Sequence, residues 1–183
     1  MGTTTRTVTY DEWLNMPEVQ DAIEEVVNGE IRIMPPAKLK HTLIVENLAK
    51  QLRCQADEQE TLVLISQFGL VIRKRPLTSR VPDLAMFVRK NIVEQDGYIH
   101  SAPELIAEVL SPANTRAERA EKLGDYEPLG VPEVWVLSPE ARTIEVLRLQ
   151  NGKLQITQAV EQGKLSPTRF PGVVVDVSSV WPS

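Results

Sequence analysis

The sequence predicts an α/β (α+β) domain, with a mixed β-sheet flanked by helices and a hairpin added near each end. Three observations predict it. Asn28-Gly29 and Asn151-Gly152 each sit between short apolar runs, and Asn-Gly is the strongest local signal for a two-residue hairpin turn. One long segment repeats apolar residues at helical spacing. Several short runs rich in Val, Ile and Leu are bounded by Pro, Gly and Ser, as strands are. The 183 residues suit one domain. No low-complexity linker divides them and no repeat appears beyond the two Asn-Gly hairpins, so 1–183 is read as one unit.

The elements follow in order. Val8 to Pro17 reads as a short helix, with Thr9 as cap and Glu12 three residues on. Glu24 to Ile33 is the first hairpin, ended by Pro35-Pro36. Leu39 to about Glu58 is a long helix whose Ile44, Val45, Leu48, Ala49 and Leu52 share a face. Strands are expected at Thr61 to Ser66, Leu70 to Arg75, Val81 to Val88 and Glu104 to Leu110. A second helix starts at Asn114 or Thr115, where Thr115 and Glu118 make a capping-box pattern. It runs to about Tyr126 and stops at Pro128 and Gly130. Val131 to Leu137 reads as a buried strand, Thr143 to Thr157 as the second hairpin, and Val173 to Val177 as a last apolar run before Val180-Trp181.

Composition narrows the function. Hydrophobic residues make up 42% and charged residues 25%, so the chain can bury a core. No apolar run reaches membrane-helix length, and the polar N-terminus has no signal-peptide core. With Cys54 as the one cysteine, an intramolecular disulfide is excluded and a reducing cytoplasm is expected. A net charge of −5 argues against a general nucleic-acid coat protein. It leaves room for a local basic surface, and Arg73, Lys74 and Arg75 open a stretch to Lys90 in which Asp83 is the one acid. Such charges also blunt an exposed strand edge. Phosphate loops, dinucleotide fingerprints and nucleophile elbows are absent. Two histidines, His41 and His100, do not make a zinc site.

What remains is two carboxylates in odd places. Asp83 and Glu108 each interrupt an apolar strand, where acids are rarely buried unless paired or bound to metal. On neighbouring strands they would repel, and a divalent cation would resolve the conflict. Mg²⁺ suits carboxylates, carbonyls and water, and the Val109 carbonyl is a third candidate ligand. Such a metal could activate water and stabilise charge on a phosphoryl oxygen. Lys122, on the following helix, would orient the water or offset phosphate charge, and shares a face with Glu118 and Tyr126. Each residue has a plainer reading as well. Asp83 could bond local backbone at a strand start, Glu108 could pair with an arginine, and Lys122 could pair with Glu118 on a solvated face. His41 could be a surface or capping residue, Tyr126 a core-edge aromatic and Cys54 a packing residue.

These residues resemble the Uma-two family of restriction endonucleases, a branch of the PD-(D/E)XK nuclease superfamily. The resemblance runs from Thr9 to Trp181. It is carried by Glu25 to Glu30, Pro35-Pro36 with His41, Val81-Pro82-Asp83, Glu108 to Pro112, Lys122 with Tyr126, and Gly130 to Val136. It implies a restriction-endonuclease-like core, with Pro82-Asp83 and Glu108 as the signature acids. Leu110 stands where the superfamily lysine would fall, and the resemblance moves that role to Lys122. Glu25 is similar to an accessory acid of the family and His41 to its helix-start histidine. The resemblance implies a Mg²⁺-dependent DNA endonuclease, with Mn²⁺ able to substitute and catalytic residues Asp83, Glu108, Lys122, Glu25, His41 and Tyr126. Arg73, Lys74 and Arg75 would touch the phosphate backbone. No membrane partner is expected, and a homodimer would suit paired cuts. The other readings are a nuclease-fold binding or scaffold protein that no longer cuts, and a hydrolase of smaller phosphoesters.

Overall fold

The computed structural model describes residues 7–17, 19–66, 68–111 and 115–182. α1 (Tyr10–Leu14) begins with the expected capping box: the Thr9 hydroxyl accepts from the Glu12 amide, and the Glu12 carboxylate accepts from the Thr9 amide. β1 (Ile23–Val27) and β2 (Glu30–Met34) form the first hairpin. Asn28 and Gly29 turn it at φ +53° and +84°, the left-handed pair this turn requires. α2 (Leu39–Arg53) buries the five apolar residues of its expected face. It ends at Arg53 rather than near Glu58, because Asp57 makes a competing turn. Its side chain accepts from the Gln59 amide and its carbonyl from the Thr61 amide and hydroxyl. Cys54 is therefore exposed at the helix end, which corrects the packing role expected for it.

β3 (Thr61–Ile65) and β4 (Leu70–Lys74) follow, and then β5 (Leu77–Arg80), which the sequence reading did not anticipate. The strand expected from Val81 begins only at β6 (Leu84–Val88). Val81 to Asp83 is the crossing between two sheets, and Pro82 at its centre has no N–H to continue a ladder. β7 (Glu94–Gln95), β8 (Tyr98–Ile99) and β9 (Leu105–Val109) lead to α3 (Arg116–Leu129). Thr115 caps α3, with the expected box to Glu118. The alternative start at Asn114 lies outside the described residues. α3 passes Pro128 and closes on Gly130, at φ +84°. Loss of the cap in Thr115→Ala should cost about 1 kcal/mol, read as a lowered denaturation midpoint.

β10 (Glu133–Ser138) precedes the second hairpin, β11 (Thr143–Gln150) with β12 (Lys153–Val160); β13 (Lys164–Leu165) and β14 (Val175–Asp176) close the chain. The strands divide between two six-stranded mixed sheets rather than one. The first has the order β2-β1-β5-β4-β8-β7, the second β12-β11-β10-β9-β6-β3, and β13-β14 form a small third. The central strands of the second sheet, β6, β9 and β10, are buried on both faces. Leu84, Met86, Leu105, Ala107 and Val109 pack with α2, while Ala85, Phe87, Ile106, Val134 and Val136 pack with Tyr126 of α3. Strand side chains alternate, so Glu108 belongs to the α3 side. No helix among the described residues is long and apolar enough to cross a membrane.

Candidate active site

The β6–β9 ladder pairs Leu84 with Ala107. One step further in that register sets Asp83 opposite Glu108. The two acids line one cleft of about 790 Å³ with Glu25, His41, Val109 and Lys122. Asp83 Oδ2 accepts from the Val109 amide at 2.7 Å and lies 3.1 Å from His41 Nε2, on the first turn of α2. Its carboxylate thus reaches across the strands rather than to local backbone. Among the described residues no arginine pairs with Glu108. Its Oε2 accepts from Lys122 at 3.0 Å, and its Oε1 from the Tyr126 hydroxyl at 2.5 Å. Lys122 also lies 3.3 Å from Glu25 Oε1 and donates to the Val81 carbonyl at 3.3 Å. It does not pair with Glu118, whose carboxylate is taken by the Thr115 amide and hydroxyl.

Burial and the charges around it set the electrostatics. Burial, and next to it the Asp83 charge, push the Glu108 carboxyl up to about 7, against the opposing pull of Lys122 and Tyr126. Burial alone would lower Lys122, but Glu108, Glu25 and Asp83 hold its ammonium above the usual value. Burial likewise works to lower His41, and the Asp83 hydrogen bond and charge more than reverse it. Glu25 is buried too, yet Lys122 and Arg80 hold it below the ordinary carboxylate range. The unfolded chain therefore binds a proton at Glu25 that the folded chain releases. This stability is present above the unfolded value of 4.5 and is lost as pH falls from there through the lower folded value. The melting temperature of the parent should drop more steeply below about pH 5 than that of Glu25→Gln.

The cluster contains a residue that sequence reasoning missed. Arg80 is buried, and donates to Glu25 Oε2 at 2.8 Å and to Asp125 Oδ2 at 2.7 and 2.9 Å. Its place immediately before Val81-Pro82-Asp83 was the available signal. Arg73, Lys74 and Arg75 lie outside the cleft lining. Arg73 donates to Asn28 Oδ1 at 2.5 Å. Lys74 donates to Gln95 at 3.0 Å and stands 4.1 Å over the Tyr10 ring, while Arg75 is exposed.

Among the described residues no group of three or more His, Cys, Asp or Glu is arranged to hold a metal ion by side chains alone. The side-chain donors that face each other there are the hard oxygens of Asp83 and Glu108, and Val109 lines the cleft beside them. Asp83 Oδ1 has no hydrogen bond among the described residues. Two carboxylates, with the remaining positions left to water, suit a hard divalent cation rather than a softer ion.

Two opposed acids thus stand at the end of a mixed sheet, with a lysine reaching them from the flanking helix. A solved structure shares the fold. The crystal structure of a "putative nuclease belonging to DUF820" from Anabaena variabilis ATCC 29413 is similar with a TM-score of 0.76 at 22% identity, over 94% of this chain and 97% of that one. The Uma2 family, described as "Putative restriction endonuclease", matches residues 9–178, and the chain belongs to that family. No curated protein matches the chain.

Proposed function

We propose that the chain is a Mg²⁺-dependent endonuclease hydrolysing DNA phosphodiester bonds, with Mn²⁺ able to substitute. The observation that carries this reading is the Lys122 ammonium 3.0 Å from Glu108, in a cleft that Asp83 also lines. A lysine remote from both acids would instead favour a scaffold. Asp83, Glu108 and the Val109 carbonyl would hold the cation, which when bound supplies Lewis-acid stabilisation of phosphoryl charge. The chain's own groups do the rest. His41 and the Val109 amide fix the Asp83 carboxylate. Tyr126 fixes Glu108. Lys122 brings a positive charge and donor hydrogens to the scissile phosphate or the attacking water. Glu25 holds Lys122 in place. Lys38, Lys40 and Arg119 line the same cleft and are better placed for phosphate contacts than Arg73, Lys74 and Arg75.

Supercoiled plasmid should be nicked with Mg²⁺ or Mn²⁺ and left intact with a chelator. Nicking that continues unchanged in chelator would end the metal mechanism. One observation favours a second reading, a hydrolase of smaller phosphoesters: about 790 Å³ falls within the range of small-ligand sites. Turnover of an aryl phosphodiester with no plasmid nicking under the same ions would select it.

A further inference from the structure

We propose that Arg80 is the positioning residue of this site: through Glu25 it fixes the Lys122 ammonium against Glu108, and through Asp125 it fixes the helix that carries Lys122. The inference rests on the nuclease reading for its catalytic consequence. The geometry stands apart from that reading. The β1–β5 pairing sets Val26 against Ser79, and one step on sets Glu25 opposite Arg80. On its other side Glu25 pairs with Arg32 of β2. A row of Arg32, Glu25 and Arg80 therefore crosses three strands and faces α3.

The Arg80 side chain is 4% exposed, and a buried guanidinium persists only where carboxylates receive its donors. Here they come from both sides. Glu25 takes Nη1 from the sheet. Asp125 takes Nε and Nη2 from α3, with Glu121 at 3.3 Å. Arg32 holds Glu121 as well, at 2.5 and 3.2 Å. Glu121 and Asp125 are one turn apart, and Lys122 and Tyr126 follow them by one residue on the neighbouring stripe of the helix. Arginines of the sheet that grip the first stripe thus set where the second stripe meets Glu108. Glu25 completes the path: its Oε2 serves Arg80, while its Oε1 accepts from the Val81 amide at 3.0 Å and faces Lys122. Lysine cannot replace this, because one ammonium does not present a planar fork to carboxylates in two directions.

The test uses Arg80→Lys and Arg80→Ala in the full chain. The first readout is the side-chain ¹⁵Nζ–H correlation of Lys122, assigned by its loss in Lys122→Arg. An ammonium held by Glu108, Glu25 and the Val81 carbonyl should give a resolved signal in the parent, and Arg80→Lys should lose it. The second is Mn²⁺-dependent nicking. Arg80→Lys should lower kcat by about 100-fold, the scale of a misplacement near 1 Å, with KM for plasmid little changed. In Arg80→Ala, added guanidinium ion should restore both signal and nicking, and should restore neither in Lys122→Met. Absence of nicking in the parent would end the nuclease reading and leave the ammonium signal to decide on Arg80. An unaltered signal in Arg80→Lys, no signal in the parent, or kcat loss that merely follows the melting temperature would overturn the proposal.

Discussion

Asp83→Ala should bind neither Mg²⁺ nor Mn²⁺ at millimolar concentration and should nick plasmid more than about 1,000-fold more slowly than the parent, a loss of about 4 kcal/mol of transition-state stabilisation. In the proposed mechanism Asp83 is the main ligand of the cation. Glu108 already accepts from Lys122 at one oxygen and from Tyr126 at the other, so a cation that reaches it competes with both. Asp83 differs: the Val109 amide and His41 engage Oδ2, and Oδ1 has no hydrogen bond among the described residues. Removing the side chain leaves the Val109 amide without its acceptor, at about 1 to 2 kcal/mol, which the fold should survive. Calorimetric titration and the nicking assay on one preparation, with circular dichroism to confirm folding, make the check. Metal binding equal to that of the parent would sink the assignment. Asp83→Asn, which keeps the shape, should behave as Asp83→Ala if charge is the cause.

Much of this was legible in the sequence because it rests on local rules. The two Asn-Gly hairpins formed where the residues specified them, and Asp83 and Glu108 stood out because an acid inside an apolar strand needs an explanation. What escaped depends on partners far along the chain. β5 reads Leu-Thr-Ser-Arg, with no apolar alternation, yet Thr78, Ser79 and Arg80 are buried because β1 and β4 flank them. Arg80 looked like part of a solvated basic stretch, since Glu25 and Asp125 lie 55 and 45 residues away. Asp125 and Glu121 carry no local signal of that role for the same reason. Lys122 shows a local rule losing to a tertiary one. Spacing offered Glu118, but the capping box had already engaged that carboxylate, and the free ammonium turned to the buried acids of β1 and β9.

Lys122→Met should separate two properties that Asp83→Ala loses together. Its ammonium donates to Glu108 and stands against Glu25, so a cation that approaches Glu108 must share it with a positive charge. Methionine removes that competitor while filling similar volume, and Mn²⁺ binding should hold or tighten. Nicking should nonetheless fall by about 100-fold or more, the scale of losing one preorganised donor at a reacting centre. Glu25 and Glu108 would also lose a shared counter-charge. With Lys122 22% exposed, that should cost about 2 to 3 kcal/mol of stability, below the figure for a fully buried pair, and bound Mn²⁺ should recover part of it in a thermal melt. Retained nicking would reduce Lys122 to a counter-ion, and the catalytic donor would then have to be sought among Lys38, Lys40 and Arg119 of the same cleft. Lost nicking with intact Mn²⁺ binding would place Lys122 at the chemical step rather than at the metal.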